Sequence, residues 1–151
     1  MALTVLAPVA GRVVALADVP DPVFSAELVG PGVAVDPDEV ASSEVVSPVA
    51  GTVVKLHPHA FVVLAEGGGV LVHLGIDTVQ LGGEGFTLHV TEGDTVAAGQ
   101  PVVSWDVAAV VAGGRAAICP VVALEAKPDA ITRLAQPGDV VAAGEPLLSW
   151  G

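Results

Sequence analysis

The side chains best suited to chemistry in this sequence are four histidines, His57, His59, His73 and His89. His59 lies in the apolar run 57–64, and His73 lies in the apolar run 70–77. A single histidine in such a run is usually a hydrogen-bonded residue of the core or of its rim. Two imidazoles that face each other can bind a metal, act as acid and base, or carry a phosphoryl group on nitrogen.

The segment Ala65-Glu66-Gly67-Gly68-Gly69 between these two runs predicts a β-hairpin. In a three-residue loop, 65–67, glycine takes the left-handed conformation and Leu64 pairs with Gly68. Counting outward then places His59 directly across from His73, with Cβ atoms about 4.5–5.5 Å apart. A two-residue loop would put the two histidines on opposite faces. The three-residue register therefore predicts that the imidazoles meet.

Short valine-rich runs, separated by many of the 18 glycines and 12 prolines, predict an all-β fold. Residues 7–16 recur as 47–56, and residues 92–101 recur as 136–146, which indicates a duplicated β-motif within one domain, 1–151. Each Gly-Asp unit of the second repeat predicts a tight turn between strands.

Helical turns are expected to be short. The best candidate is Pro128–Ala135, because proline is tolerated in a first helical turn. The apolar stretch Val107–Leu124 is interrupted by glycine, arginine and proline, so it predicts two buried strands rather than a membrane span.

Charge and cysteine content exclude several classes of protein. With 17 acidic and 5 basic residues, the net charge of −12 disfavours nucleic acid and anionic membranes and favours a cationic partner protein. The single cysteine, Cys119, excludes an internal disulfide framework and suits a reducing, cytoplasmic location.

One interpretation of the histidines is a zinc-dependent hydrolase. His57-x-His59 and His73-x-Gly-x-Asp77 resemble the ligands of LytM-type zinc endopeptidases, although the two elements occur here in reversed order. Two histidines and an aspartate could supply three zinc ligands. A lipoyl or biotinyl carrier is a weaker alternative, because neither Lys55 nor Lys127 lies in a suitable hairpin tip.

A second interpretation comes from a family resemblance. Residues 70–81, followed by Gly83-Glu84-Gly85-Phe86, closely resemble the phosphorylation-site signature of glucose-type IIA phosphocarriers of the bacterial phosphoenolpyruvate:sugar phosphotransferase system. The resemblance continues in order through the segments 18–25, 29–35, 47–52, 59–61 and 92–94. It covers nearly the whole chain.

This resemblance implies a flattened antiparallel β-sandwich or barrel. His73 would accept the phosphoryl group through Nε2, and His59 would stabilise the phosphate. The donor would be the phosphohistidine of HPr, and the next acceptor a cysteine of the IIB domain of a sugar permease. A backbone carbonyl near Gly75 could fix the tautomer of His73. No cofactor would be required, although the pair His59 and His73 could hold zinc.

The resemblance also implies a docking face around the histidines. Its apolar collar would comprise Val23, Phe24, Leu28, Val29 and Leu71. Asp21 and Asp77 could pair with arginines of HPr. The alternatives are that Phe24 and its neighbours are plain core, and that both aspartates only form turns or caps.

Two features leave questions open within this interpretation. His57 occupies a position where many relatives carry threonine, so the hydrogen bonding around His59 is in question. A purely regulatory binding module of the same fold is a further alternative to a phosphocarrier.

Overall fold

The computed structural model describes residues 3–151, so Met1 and Ala2 of the predicted domain 1–151 lie outside it. Within that range the strands are β1 Leu3–Leu6, β2 Gly11–Ala15, β3 Gly32–Pro37, β4 Ser43–Val46, β5 Gly51–His57, β6 Ala60–Ala65, β7 Gly68–His73, β8 Phe86–Leu88, β9 Thr95–Val96, β10 Pro101–Trp105, β11 Cys119–Ala123, β12 Ile131–Arg133, β13 Val140–Val141 and β14 Pro146–Trp150. The helices are α1 Pro22–Ser25 and α2 Val107–Ala112, with 3-10 turns at Leu16–Asp18, Thr78–Leu81 and Pro128–Ala130.

The strands form three antiparallel sheets. The largest has the order β13-β2-β3-β11-β7-β6-β5-β9, and the smaller sheets have the orders β1-β14-β12 and β4-β10-β8. All three contribute to the main hydrophobic core, which valines dominate because the branched side chain packs well on a pleated surface. The fold is thus the predicted antiparallel β-sandwich with few helices, and the all-β prediction is confirmed.

The sequence repeats form matching structures. The N–H of Leu6 donates to the Pro48 carbonyl, and the N–H of Val46 donates to the Pro8 carbonyl, each at 2.9 Å. The predicted Gly-Asp turns are also alike, because a side-chain oxygen of each aspartate accepts a backbone N–H three residues earlier. These bonds measure 2.9 Å for Asp94 and 2.8 Å for Asp139. The duplicated motif therefore builds two matching halves around one core.

A second, smaller core covers part of the outer face of the largest sheet. Phe24 of α1 packs there, together with Leu16, Val19, Ala34, Ile76, Ile118 and Val122. Val29 and Leu71, which are partly buried, flank this core. It fixes α1 and the segment after β7 against the sheet, and both elements contribute to the candidate site described below.

Two secondary-structure predictions are wrong. Val107–Ala112 is a helix rather than a strand, since the Asp106 carboxylate caps it by accepting the Ala109 N–H at 2.9 Å. Val107 and Val110, three residues apart, form its buried side. Only the second predicted strand of that stretch forms, as β11. The predicted helix 128–135 is instead a 3-10 turn followed by β12, which pairs with β14.

No helix in residues 3–151 combines the length and the apolar character needed to cross a bilayer.

Candidate active site

His73 is the last residue of β7, and its ring is partly buried. Its Nδ1 lies 2.5 Å from the carbonyl oxygen of Gly75. A carbonyl oxygen only accepts hydrogen bonds, so Nδ1 must carry the ring proton of the neutral imidazole. The other nitrogen, Nε2, then keeps its lone pair and can act as a nucleophile.

His59 reaches His73 by a different route from the predicted one. The β6–β7 hairpin has a two-residue loop, Glu66-Gly67, because Ala65 pairs with Gly68. In this register Ala60, and not His59, lies opposite His73, so the predicted cross-strand pairing is wrong. Gly67 was also expected to take the positive φ, which falls on Gly68 at 141°.

The two imidazoles nevertheless lie side by side. His59 belongs to the two-residue turn Pro58-His59 between β5 and β6, where the alternation of strand faces no longer applies. Its carbonyl oxygen accepts the Leu74 N–H at 2.7 Å, which ties the turn to the end of β7. The ring centroids of His59 and His73 are 5.3 Å apart and inclined by 72°.

Burial favours the neutral form of both rings. Desolvation is the largest cause that lowers the pKa of His73 below 6.5, and it outweighs the Gly75 hydrogen bond and the charges of Asp21 and Asp77, which raise it. The pKa of His59 is also lowered, first by desolvation and then by the neighbouring imidazoles of His73 and His57. At neutral pH the pair is therefore uncharged.

The predicted acidic residues lie near His73 and also have local structural roles. Asp21 caps α1, since its Oδ1 accepts the Val23 N–H at 2.9 Å. Asp77 is exposed and left-handed, with φ 61°, and precedes a 3-10 turn without capping it through its side chain. Both carboxylates are close enough to His73 to act on its charge. Asp21 and Asp77 therefore belong both to these local backbone structures and to the electrostatic environment of the His73 ring.

The predicted apolar collar divides into a buried and an exposed part. Phe24 is only 6% exposed, and its ring centroid lies 5.2 Å from that of His73. Val29 and Leu71 are half-buried. Leu28 and Val23 are 70% and 41% exposed. Phe24 is thus both core and a wall of the site, whereas Leu28 and Val23 present apolar surface to solvent.

His57 is exposed and stacks on His59. The two ring centroids are 5.6 Å apart, and the ring planes differ by 28°. His89 is not part of this row: it directly follows β8, and its Nε2 lies 2.7 Å from Ser104 Oγ of β10. Three of the four histidines therefore form a row that ends at His73.

The described residues offer a metal only a partial ligand set. Within 3–151, no group of three or more histidine, cysteine, aspartate or glutamate side chains is arranged to hold an ion. A catalytic zinc centre uses three protein ligands. His59 and His73 could supply two nitrogen ligands, and Asp77 does not complete the set that the hydrolase interpretation requires.

Two residues of this region were not singled out from the sequence. Thr78 is 1% exposed and donates its hydroxyl proton to the Leu74 carbonyl, while Val79 beside it is 62% exposed. Threonine after a strand is common, so its type and spacing carry no signal of a role. Only the path of the chain after His73 places these residues beside the site.

The fold and the histidine pair define a IIA-type component of a sugar phosphotransferase system. The structure is similar to glucose permease IIA from Mycoplasma capricolum, with a TM-score of 0.86 and 30% identity, covering 99% of this chain and 96% of that one. A family model described as phosphoenolpyruvate-dependent sugar phosphotransferase system, EIIA 1, matches residues 3–129. The chain belongs to this phosphotransferase family.

Individual relatives agree with that assignment. The glucose-specific EIIA component of Oceanobacillus iheyensis is 45% identical over 123 residues, which are 80% of this chain and 73% of that protein. The N-acetylglucosamine-specific EIICBA component of Escherichia coli is 48% identical over 120 residues, 78% of this chain and 18% of that protein. The resemblance drawn from the sequence is confirmed, and the hydrolase interpretation is not favoured.

Proposed function

We propose that His73 accepts a phosphoryl group on Nε2 from the phosphohistidine of HPr and passes it to a cysteine of the IIB domain of a sugar permease. The observation that carries this proposal is the hydrogen bond from His73 Nδ1 to the Gly75 carbonyl. It holds the proton on the nitrogen that does not react. The nucleophilic lone pair is then ready before a partner docks, with no proton to remove.

The phosphoryl group would be transferred in two steps, first to His73 and then to the cysteine. The Nε2 lone pair of His73 forms a bond to phosphorus as the phosphorus–nitrogen bond of the donor histidine breaks. In the second step a cysteine thiolate attacks phosphorus, and the bond to Nε2 breaks, which restores the neutral imidazole. Such transition states are loose, with negative charge spread over the phosphoryl oxygens. His59, whose ring lies beside that of His73, can donate a hydrogen bond to these oxygens.

The surface around the histidines suits a transient protein partner. Leu28 and Val23 supply exposed apolar area, flanked by Val29 and Leu71. Asp21 and Asp77 provide negative charge beside them, in a chain of net charge −12. A basic partner such as HPr would be steered to this face by electrostatic attraction and retained by apolar contact.

The IIB partner is supported by relatives in which the matched region is part of a larger chain. The E. coli relative carries the name EIICBA, which joins the A unit to B and C units. The name therefore supports a B unit as the partner of an A unit in this family. We assign the same partner class to this chain and place its work in the cytoplasm, where it meets the membrane only through the permease.

The test is phosphoryl transfer from purified phospho-HPr, formed beforehand with phosphoenolpyruvate and enzyme I. We expect one acid-labile phosphate on the wild-type protein and none on His73→Gln. His89→Gln, which changes a histidine outside the cluster, is the matched control and should be phosphorylated normally. Retained partner binding without phosphate uptake would support a regulatory binding module instead, and zinc-dependent peptide cleavage would support a hydrolase.

Zinc binding by His59 and His73 is a separate proposal, because two nitrogens leave the other ligand positions to water or to a partner. Phosphoryl transfer as proposed needs no metal. We therefore expect uptake from pre-formed phospho-HPr to be unchanged by a chelator. Titration calorimetry with Zn²⁺, comparing wild type with His59→Gln, measures whether the pair binds the ion.

A further inference from the structure

Thr78 is a polar side chain that is only 1% exposed. Its hydroxyl donates to the carbonyl oxygen of Leu74 at 2.6 Å. This bond spans the chain from the residue directly after His73 to the start of the 3-10 turn Thr78–Leu81. Thr78 does not line the histidine pair, so any effect on the reaction must pass through the backbone between them.

Three hydrogen bonds anchor the backbone between His73 and Thr78. The Leu74 N–H donates to the His59 carbonyl at 2.7 Å, and the Ile76 N–H donates to the Ala116 carbonyl at 2.9 Å. The Leu74 carbonyl is held by Thr78. Gly75 lies between these anchors with φ 77°, and its own carbonyl oxygen accepts from His73 Nδ1. The direction of the Gly75 carbonyl is thus set by the bonds of its neighbours.

The methyl group of Thr78 adds a second constraint. A Cβ atom placed on Gly75 would lie 2.6 Å from Thr78 Cγ2 and 2.9 Å from the Ala116 oxygen. The methyl group therefore packs closely over Gly75, where only glycine fits. The methyl group thus fills the space beside Gly75, and the hydroxyl closes the loop 74–78 through its bond to Leu74.

We propose that Thr78 is a positioning residue: through the bond of its hydroxyl to Leu74, it holds the Gly75 carbonyl on Nδ1 of His73 and so keeps Nε2 as the free nitrogen, while its methyl group only fills the space beside Gly75. The consequence for reaction rate rests on the proposed function, since it assumes that Nε2 is the phosphoryl acceptor. The consequence for the tautomer does not, because it concerns the unmodified protein. The two can therefore be tested separately.

The test compares Thr78→Val, which loses the hydroxyl and retains a methyl, with Thr78→Ser, which retains the hydroxyl. Nitrogen-15 NMR of the unphosphorylated protein at neutral pH reports which ring nitrogen of His73 carries the proton. We expect the Nδ1–H tautomer in wild type and Thr78→Ser, and a mixture of tautomers in Thr78→Val. The rate of phosphoryl transfer from phospho-HPr should fall about five- to tenfold in Thr78→Val, the factor that one net hydrogen bond supplies, and recover in Thr78→Ser.

A folded Thr78→Val protein with the wild-type tautomer and transfer rate would overturn the proposal. If Thr78→Val does not fold, Thr78→Ala and Thr78→Ser form the second comparison, and identical His73 tautomers in these two variants would overturn it as well. A wild-type protein that takes no phosphoryl group while Thr78→Val shifts the tautomer would contradict the proposed function and still support the positioning role.

Discussion

The carbonyl oxygen of His59 accepts the backbone N–H of Leu74, the residue after His73, at 2.7 Å. This main-chain bond links the turn that carries one imidazole to the strand end that carries the other. The spacing of the two rings, 5.3 Å between centroids, is therefore set by the backbone as well as by side-chain rotamers. A site built this way is largely organised before a partner arrives.

Replacing His59 by alanine should slow phosphoryl transfer without removing the acceptor. The nucleophile His73 is unchanged, but the donor beside the phosphoryl oxygens is removed, and loss of such a donor costs about 10²-fold in rate. Rapid-quench measurement of transfer from phospho-HPr gives the rate. His57→Ala, which removes the outer ring of the row, is the control and should lose less. Equal losses in the two variants would contradict the role assigned to His59.

Gly75→Ala should destabilise the protein and disrupt the site together. The added Cβ would meet Thr78 Cγ2 at 2.6 Å and the Ala116 oxygen at 2.9 Å, at a φ of 77°. Strain of this kind costs about 1–3 kcal/mol in the free energy of unfolding, measured by urea denaturation. Gly82→Ala is the matched control, because Gly82 has φ 61° with nothing within 4 Å of its Cβ position. It should lose less stability, and its phosphoryl uptake should remain normal.

The rate of phosphoryl acceptance should fall in mildly acidic solution. Burial lowers the pKa of His73 below its ordinary 6.5, so the ring is neutral at pH 7 and the rate should be flat there. It should decrease as pH falls through the lowered pKa, because the protonated ring has no free lone pair. Asp77→Asn removes a charge that raises this pKa and should move the decline to lower pH. NMR titration of the His73 ring measures the pKa directly, and a value above 6.5 would contradict the expected shift.

The lowered pKa of His73 also predicts how the free energy of unfolding changes with pH. The unfolded chain binds the proton near pH 6.5, whereas the folded chain binds it only at lower pH. The free energy of unfolding should therefore decrease as pH falls from 6.5 through the folded-state pKa. His73→Gln removes the contribution of His73 to this slope. Urea denaturation of both proteins at pH 7.5 and at lower pH values measures the difference, and identical slopes would argue against it.

Leu28→Ala should weaken binding of HPr and leave the fold unchanged. Leu28 is 70% exposed, so the truncation removes surface area from the proposed docking face and little from the core. A contributing contact of this kind is worth about 1 kcal/mol in binding free energy, which calorimetric titration resolves. Val140→Ala is the control, because Val140 is 75% exposed on β13, outside that face. If both variants bind HPr equally well, the docking face lies elsewhere.

The Gly-Asp turns of the duplicated motif were predictable from the sequence because they depend on local residue types. A Gly-Asp turn needs a positive φ at glycine and an acceptor on aspartate, and both are intrinsic to those residue types. Gly93 and Gly138 have φ values of 99° and 97°, as this requires. Whether Val107–Ala112 forms a strand or a helix depends on more distant contacts. Valine favours strands, but the segment is a helix because Asp106 caps it and because Val107 and Val110 pack into the core.

The hairpin between the histidines shows why register is hard to derive from sequence. Its glycines, Gly67 to Gly69, allow loops of two or three residues with little difference in local energy. The register that forms places Phe61 and Val63 opposite Val72 and Val70, all in the main core. It also places Gly68, with its positive φ, under the Trp150 ring, where a Cβ would clash. Distant packing, not the loop, selects the pairing.

The sequence by itself determined the residue types, the family signature, the β-strand content and the identity of His59 and His73 as the candidate pair. Only the tertiary structure decided how they meet: His59 approaches from a turn, and a backbone carbonyl directs the proton of His73. The physical reason is that residue type and periodicity act over a few neighbours. The relative position of two strand ends depends on the whole sheet and on the segments packed against it.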